Sequence, residues 1–268
     1  MIRQHLQPLY ARLKQHYLHS IGFDAPERYR SSFVHWGGGA EAQYICTRLL
    51  ENLGPGAKAL IVGVMGGRDY FLLKNLGFNV TALDIGLQPD IPDIVLTNVE
   101  EPLPFPDQTF DAVLIGEVLE HLERDVEALR NVRRVLKDDG RLVVTVPFYN
   151  DWEGGHMRIH SPVSCQRLLA LGGFVIQDCV ERPALFRPNV FNPLQHGVSL
   201  VSYLVRGRTS YAASNRLIGL LSWRLGHVRW LGRFRRLGRG YGAYYLCRKG
   251  AALDHVEINR SLYTETAR

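Results

Sequence analysis

The segment that most constrains the fold is an apolar run that ends on glycines, followed by a second apolar run that ends in an acid. Residues 59–68 read ALIVGVMGGR, and residues 79–84 read NVTALD. Short apolar runs bounded by glycine are typical of buried parallel strands, and the glycines permit a tight turn into a helix. Asp84 follows Gly67 by 17 residues, close to the offset of roughly 20 at which an acid binds ribose hydroxyls in open α/β sheets. The pattern therefore predicts a nucleoside site, for a dinucleotide or for S-adenosylmethionine (SAM).

Three further segments follow in a fixed order. They read LPFPDQTFD at 103–111, EVLEHL at 117–122 and LKDDGRLVVTVP at 136–147. With these segments the chain resembles the class I SAM-dependent methyltransferases, most closely their type-11 subgroup, over roughly residues 40–181 and again near 242–248. The resemblance implies a doubly wound α/β fold, with a mostly parallel, seven-stranded Rossmann-like sheet in the order 3-2-1-4-5-7-6 and SAM as cofactor. An NAD-dependent oxidoreductase fits less well, because the segments after Asp84 have no role in such an enzyme.

The resemblance also implies which residues bind the cofactor. Asp84 is expected to bind the ribose hydroxyls, and the amide oxygen of Asn98 to accept a hydrogen bond from the adenine amino group. The full expected set is Gly63, Val64, Met65, Gly67, Asp84, Ile85, Asn98, Val99 and Glu117. The family usually has an acid at the position of Ile61 and a glycine at that of Met65. This departure motivates an alternative, a noncatalytic SAM-fold binding protein.

Candidate catalytic residues lie in the loop after the fifth predicted strand, where residues 148–160 read FYNDWEGGHMRIH. His156 and His160 are the first choices for a general base, because imidazole has an unperturbed pKa near neutrality, and Tyr149 is a further candidate. Two histidines four residues apart also suit a metal site. Since no third ligand is near them in sequence, we expect no metal. His121 is expected to be a packed, hydrogen-bonded residue.

Positive charge is concentrated late in the chain. Residues 187–240 contain ten arginines, no lysine and no acid, whereas the whole chain has a net charge of +6. Trp223, Trp230 and Phe234 recur at near-helical spacing, which predicts an amphipathic basic helix that contacts an anionic membrane surface or an anionic ligand. A solvated structural face is the alternative. A nucleic-acid partner is disfavoured, because residues 115–118 (IGEV) lack the Asn-Pro-Pro-Tyr type of motif that presents a flipped base.

Length and composition indicate one sizeable core with an appended cap, since the chain has 268 residues of which 46% are hydrophobic. We expect an N-terminal helical cap at 1–39, a SAM-binding Rossmann-like core at 40–186, a basic helical insertion at 187–240, and the last strand with a C-terminal tail at 241–268. No apolar run approaches the ~18 residues of a membrane span, and residues 1–30 lack the apolar core of a secretory signal. The four cysteines show no metal spacing, which favours buried, reduced thiols in a cytoplasmic protein.

These observations favour one function over two alternatives. The expected function is a metal-independent SAM methyltransferase that acts on a small-molecule, sugar or lipid-linked acceptor, with O-methylation slightly preferred. The expected location is the cytoplasm, with peripheral contact to the inner membrane face through residues 206–239. The alternatives are a noncatalytic SAM-fold binding protein and a nucleic-acid methyltransferase.

Overall fold

The structure, a computed structural model, describes residues 53–64, 67–75, 77–88, 90–148, 155–182, 242–251, 253–254, 256–258 and 260. The expected N-terminal cap and basic insertion lie outside these residues, as do Met65 and Tyr149, and all four stay predictions. The chain divides into two compact units. The first comprises Met1–Asn52, Gly66–Gly77 and Pro183–Arg239, and the second comprises Leu53–Met65, Phe78–Arg182 and Gly240–Arg268.

The described part of the first unit is a short helix, α1 (Arg68–Asn75). Gly67 precedes it with φ +59°, a left-handed conformation that favours glycine. The backbone N–H of Phe71 donates to the carbonyl of Gly67 at 3.0 Å and so closes the first helical turn. Asp69 in the first turn and Lys74 in the last turn complement the helix dipole. The helix follows directly on the glycine turn, as the sequence pattern predicts.

The second unit contains a seven-stranded sheet in the order β3-β2-β1-β4-β5-β7-β6. Strands β1 to β5 are parallel, and β7 runs antiparallel to both β5 and β6. The predicted strand order and the mostly parallel arrangement are confirmed. The strands are β1 (Lys58–Val62), β2 (Asn79–Asp84), β3 (Ile94–Leu96), β4 (Phe110–Gly116), β5 (Leu136–Pro147), β6 (Phe174–Arg182) and β7 (Gly242–Lys249).

Two helices of this unit contribute to its hydrophobic core. Helix α2 (Asp125–Val135) buries Leu129 and Val132 in a cluster with residues from strands β1, β4 and β5. Helix α3 (Pro162–Leu171) adds Leu169 to the same cluster. The hydroxyl of Ser161 accepts from the backbone N–H of Ser164 at 3.1 Å and caps α3, as the Ser-Pro pair predicts.

The start of β5 differs from the sequence pattern, which predicts a helix from about 123 to 137, a turn at Asp139 and Gly140, and a strand at 141–147. In the structure α2 ends at Val135, and Leu136 already pairs with Phe110 of β4. The next pair joins Ala112 to Arg141, so residues 137–140 form an irregularity within the strand. Leu136 is fully buried, and a Cβ at Gly140 would lie 2.7 Å from its side chain. Glycine at this position therefore lets the chain pass close to Leu136.

The described cysteines carry free thiols. Cys165 and Cys247 are buried as expected, whereas Cys179 is exposed, which corrects the expectation that all are buried. Burial raises the pKa of the Cys165 thiol to about 12, so this side chain stays protonated and unreactive near neutral pH. Within the described ranges, no helix has the length and apolar character needed to cross a membrane.

Asp111, near the start of β4, links this strand to the start of β1 and to β5. Its carboxylate accepts from the backbone N–H of Lys58 at 2.8 Å and from Nζ of Lys137 at 2.6 Å. Partial burial opposes ionisation of the carboxyl group, but the hydrogen bonds from Lys137 and Lys58 outweigh it and lower the pKa below the usual value of 3.8. Folding therefore favours the ionised form of Asp111.

We expect Asp111→Asn to lower the free energy of unfolding by about 1–2 kcal/mol near pH 7, because one charge-assisted hydrogen bond is lost. A carboxyl group whose pKa is lowered by folding stabilises the fold above its unfolded pKa, and this contribution disappears as the pH falls through the folded pKa. The difference between wild type and variant should thus be constant from about pH 5 to 8 and shrink below about pH 4. Urea unfolding at several pH values measures it, and a difference independent of pH down to 3 would contradict the assignment.

Candidate functional site

The first part of the candidate site lies at the carboxyl ends of β1 and β2. Gly63 follows β1 with φ +77°, and its backbone N–H donates to the carbonyl of Leu83 at 2.8 Å. A Cβ at this position would lie 2.5 Å from a methyl group of Val118. Two local constraints therefore select glycine at Gly63, a left-handed backbone and close contact with Val118. The tight turn expected from the sequence agrees with the first constraint, whereas the contact with Val118 is one that the sequence did not indicate.

Alanine substitutions at three glycines around β1 separate the effect of the left-handed backbone from that of the contact with Val118. Gly54→Ala should leave stability nearly unchanged, because Gly54 has open space around it and no positive φ. Gly56→Ala should cost about 1 kcal/mol, because Gly56 has φ +88° but also open space. Gly63→Ala should cost about 2 kcal/mol, since a clash is added to the backbone strain. Chemical denaturation of the three variants checks the order, and equal losses for Gly56→Ala and Gly63→Ala would exclude the role of Val118.

Asp84 ends β2 and ties it to the turn after β1. One carboxylate oxygen accepts from the backbone N–H of Val64 at 2.7 Å, and the other accepts from that of Gly86 at 3.0 Å. An ionised carboxylate has about four acceptor positions, so these two bonds leave capacity on both oxygens. The carboxylate is held in place and can still accept hydrogen bonds from hydroxyl groups. A group that binds a ribose needs both properties.

Apolar side chains surround this strand end without being buried. Ile85, directly after Asp84, has 82% of its surface exposed, and Leu87 and Leu96 are exposed as well. A large aliphatic side chain in water loses the free energy that burial would provide, about 25 cal/mol per Å² of apolar surface. These residues offer an apolar surface beside the carboxylate, which suits the flat face of a base.

Asn98 and Val99, after β3, are held by neighbouring polar groups. The amide oxygen of Asn98 accepts from the backbone N–H of Glu100 at 3.0 Å, and its amide nitrogen donates to the Glu100 carboxylate at 3.2 Å. Burial opposes ionisation of Glu100, but hydrogen bonds from the Arg124 backbone and from Asn98 lower its pKa. The side chain of Val99 is buried, and its carbonyl accepts from the amide of Asn131 at 3.0 Å. The amide oxygen of Asn98 keeps a second lone pair.

Glu117 follows β4 in a left-handed conformation, with φ +54°. For a residue other than glycine this conformation costs of order 1 kcal/mol and concentrates at functional sites. The backbone N–H of Glu117 donates to the carbonyl of Thr145 in β5 at 3.0 Å, which holds the turn in place. Its side chain is half-buried at the carboxyl end of the sheet. No sequence signal predicted this conformation.

A second group of polar residues forms where residues 155–160 meet the 3₁₀ helix Leu119–His121. The backbone N–H of Arg158 donates to the carbonyl of Glu120 at 3.0 Å, and Nδ1 of His121 hydrogen-bonds to the carbonyl of Gly155 at 2.9 Å. The rings of His121 and His156 pack edge to face with their centroids 4.8 Å apart. The side chain of Glu120 is buried beside them.

The two histidines expected to act as bases lie in different environments. His156 is half-buried and packs on His121, whereas His160 is buried and its ring hydrogen-bonds to the backbone of Leu119. Burial lowers the pKa of His160, although the negative charge of Asp125 partly opposes this effect. Among the described residues, no group forms a hydrogen bond with Nε2 of His160. The structure thus brings His156 to His121, a contact between residues 35 positions apart that sequence spacing did not indicate.

Comparison with known proteins gives the family of this fold and site. Residues 60–144 match the family described as Methyltransferase domain. This match identifies residues 60–144 as a methyltransferase domain, and the chain is similar to the class I SAM-dependent methyltransferases. This confirms the family that the sequence resembles, with SAM as its cofactor. Ile61, where the family usually has an acid, is buried in β1 between Ala82 and Leu114, so this position offers no carboxylate.

Three similar proteins illustrate the match. A 2-methyl-6-phytyl-1,4-hydroquinone methyltransferase from Synechocystis is 33% identical over 135 residues, which cover 45% of this chain and 37% of that protein. A SAM-dependent methyltransferase from Archaeoglobus fulgidus has a TM-score of 0.53 at 17% identity, covering 83% of this chain and all of that one. A Burkholderia thailandensis 1,6-didemethyltoxoflavin-N1-methyltransferase, solved with its acceptor and S-adenosylhomocysteine, has a TM-score of 0.51 at 18% identity, covering 90% and 89%.

These similarities differ in what they show. The two solved structures show that the fold is shared. Because their sequence identities are below 20%, they show no more than that. The curated relatives match over well under half of their own length. The name of the Synechocystis protein gives a hydroquinone as acceptor, and that of the Burkholderia protein gives 1,6-didemethyltoxoflavin, methylated at N1.

Proposed function

We propose that the protein transfers the methyl group of SAM to a small-molecule acceptor. The observation that carries this proposal is Asp84, whose carboxylate is fixed by two backbone N–H groups at the end of β2 and keeps acceptor capacity beside the exposed Ile85. The hydroxyls of a ribose need a fixed carboxylate with free acceptor positions, and an adenine ring gains from packing on an exposed apolar side chain.

We propose that different residues of the second unit bind the ribose, the adenine and the methionine part of SAM. Asp84 binds the ribose hydroxyls, Ile85 and Val99 flank the adenine, and Asn98 accepts from the adenine amino group. Gly63, Val64 and Glu117 lie at the ends of β1 and β4 and border the methionine part. Two further residues expected from the sequence stay predictions: Met65, which lies outside the described residues, and Gly67, which belongs to the first unit.

The residues proposed to assist the transfer lie after β5. SAM supplies an electrophilic methyl group, which leaves its sulfonium sulfur with the bonding pair staying on sulfur, while the acceptor atom forms the new bond and gives up a proton. His156 is half-exposed at this edge and is the group proposed to assist at the acceptor. His160, buried behind it, is proposed to position residues 155–160, and Tyr149 is a further candidate.

The acceptor is proposed to be a hydroxyl compound of small size, such as a sugar, or a lipid-linked one. Support for a small molecule comes from the similar proteins, which act on a quinol and on a toxoflavin precursor. The preference for oxygen rests partly on analogy with the type-11 methyltransferases that the sequence resembles. Contact with an anionic membrane surface through residues 206–239, and a location at the inner membrane face, stay predictions.

The test uses the full chain with SAM that carries a labelled methyl group. Calorimetric titration with SAM and S-adenosylhomocysteine is followed by incubation with a panel of sugars, phenols, quinols and amines. Mass spectrometry then detects labelled products, and NMR identifies the methylated atom. We expect SAM binding and transfer to an oxygen. Binding without transfer to any acceptor would favour the noncatalytic alternative, and no binding of either ligand would overturn the proposal.

A further inference from the structure

A mixed cluster of potential metal ligands lies after β4. One carboxylate oxygen of Glu120 and one ring nitrogen each of His121 and His156 lie within 4.8 Å of one another. Two of the residues come from the 3₁₀ helix and one from the loop after β5, so two neighbouring strand ends contribute. The sequence expectation of no metal considered only His156 and His160 as a pair and did not include this arrangement.

The backbone orients one of these ligands. The carbonyl of Gly155 accepts from Nδ1 of His121, which places the ring proton on Nδ1 and leaves Nε2 with a lone pair. Histidines that bind metals typically donate their other ring N–H to a carbonyl or carboxylate, which fixes tautomer and ring orientation. Gly155 also immediately precedes His156, so one short segment orients the first histidine and supplies the second.

Glu120 gives the cluster its negative charge. Its side chain is only 1% exposed, and a carboxylate removed from water is stabilised when a cation neutralises it. The carbonyl of Glu120 accepts from the N–H of Arg158, which holds the loop of His156 against the 3₁₀ helix. Glu120 is thus buried, His121 is oriented by Gly155, and the loop that carries His156 is attached to the same 3₁₀ helix.

We propose that Glu120, His121 and His156 bind a divalent transition-metal cation, with zinc the best match. Imidazole suits zinc and its neighbours in the first transition row, and two histidines with one glutamate form a known catalytic zinc set with an open fourth position. Tetrahedral bonds of about 2.0–2.1 Å place ligand atoms roughly 3.3 Å apart, so the side chains must close by about 1–1.5 Å. His121 is exposed and His156 half-buried, and the proposal requires that both side chains move inward to this extent when the metal binds.

The open position gives the metal a chemical role. A hydroxyl oxygen bound there loses its proton more readily, because the cation stabilises the resulting anion. This role rests on the proposed function, whereas metal binding itself does not. The binding test therefore contains neither SAM nor an acceptor, and its failure would leave the proposed function standing.

The experiment uses the full chain, stripped with a chelator and free of any affinity tag. Zn²⁺ is titrated in competition with a chromophoric chelator, and Co²⁺ is added separately to record its visible absorption. We expect one equivalent to bind, with an intense Co²⁺ spectrum typical of four or five ligands. His121→Ala, His156→Ala and Glu120→Gln should each weaken Zn²⁺ binding by at least about 100-fold.

A matched control distinguishes the cluster from general surface binding. Glu123→Gln makes the same chemical change at an exposed carboxylate three residues from Glu120 and should bind Zn²⁺ like wild type. Thermal melts without metal show which variants fold, and the exposed His121 keeps the test decisive if Glu120→Gln does not fold. Binding that His121→Ala and His156→Ala leave unchanged would overturn the proposal, as would the absence of stoichiometric binding in wild type.

Discussion

Asp84→Ala is expected to weaken SAM binding by roughly 100-fold. Loss of hydrogen bonds to a charged acceptor accounts for about 1.5–3 kcal/mol, which is ten- to more than a hundred-fold in affinity. The substitution also removes the acceptor of the Val64 and Gly86 N–H groups, so the turn beside the cofactor loses its support. Both effects act in the same direction. Isothermal titration calorimetry with SAM and S-adenosylhomocysteine measures the loss.

A matched control separates charge from position. Asp93→Ala removes an exposed carboxylate from the same connection between β2 and β3, and SAM affinity should change less than about twofold. Asp84→Asn should lie between the two, because its amide oxygen can replace one acceptor but not both. A folded Asp84→Ala protein that binds SAM like wild type would exclude Asp84 from the cofactor site.

The strand order could be predicted from the sequence because each apolar run ends on a residue with a distinct local role. Glycine after β1, Asp84 after β2 and the acid-rich segment after β4 each mark a carboxyl end, and parallel strands place these ends at one edge. The start of β5 could not be predicted in this way. Pairing of Leu136 with Phe110 is a tertiary contact that overrides the turn preference of Asp139 and Gly140.

The candidate site was predictable only in part. Asp84 could be located because its spacing from the glycine turn reflects the geometry of one strand, helix and strand. The left-handed backbone of Glu117 could not, since no sequence signal marks a residue other than glycine for that conformation. The contact between His121 and His156 was also missed. Its only signal was that both residues follow neighbouring parallel strands, β4 and β5, whose carboxyl ends lie together.

His156→Ala is expected to lower kcat by about 10²- to 10⁴-fold, the range for loss of a group that assists proton removal. SAM affinity should change less than about twofold, because His156 lies outside the set proposed to hold the cofactor. Label transfer to the acceptor found in the panel gives kcat, and calorimetry gives the affinity. Met157→Ala, a substitution at the exposed neighbour on the same segment, should retain the wild-type rate.

The metal dependence of the rate then shows how His156 acts. If it takes the proton itself, a chelator has no effect on the rate of wild type. If it acts as a ligand, a chelator reduces wild type to the rate of His156→Ala, and Zn²⁺ or Co²⁺ restores wild type alone. The buried Glu120 and the fixed tautomer of His121 favour the second outcome. A His156→Ala protein with the wild-type rate would exclude both roles and leave orientation of the acceptor as the source of catalysis.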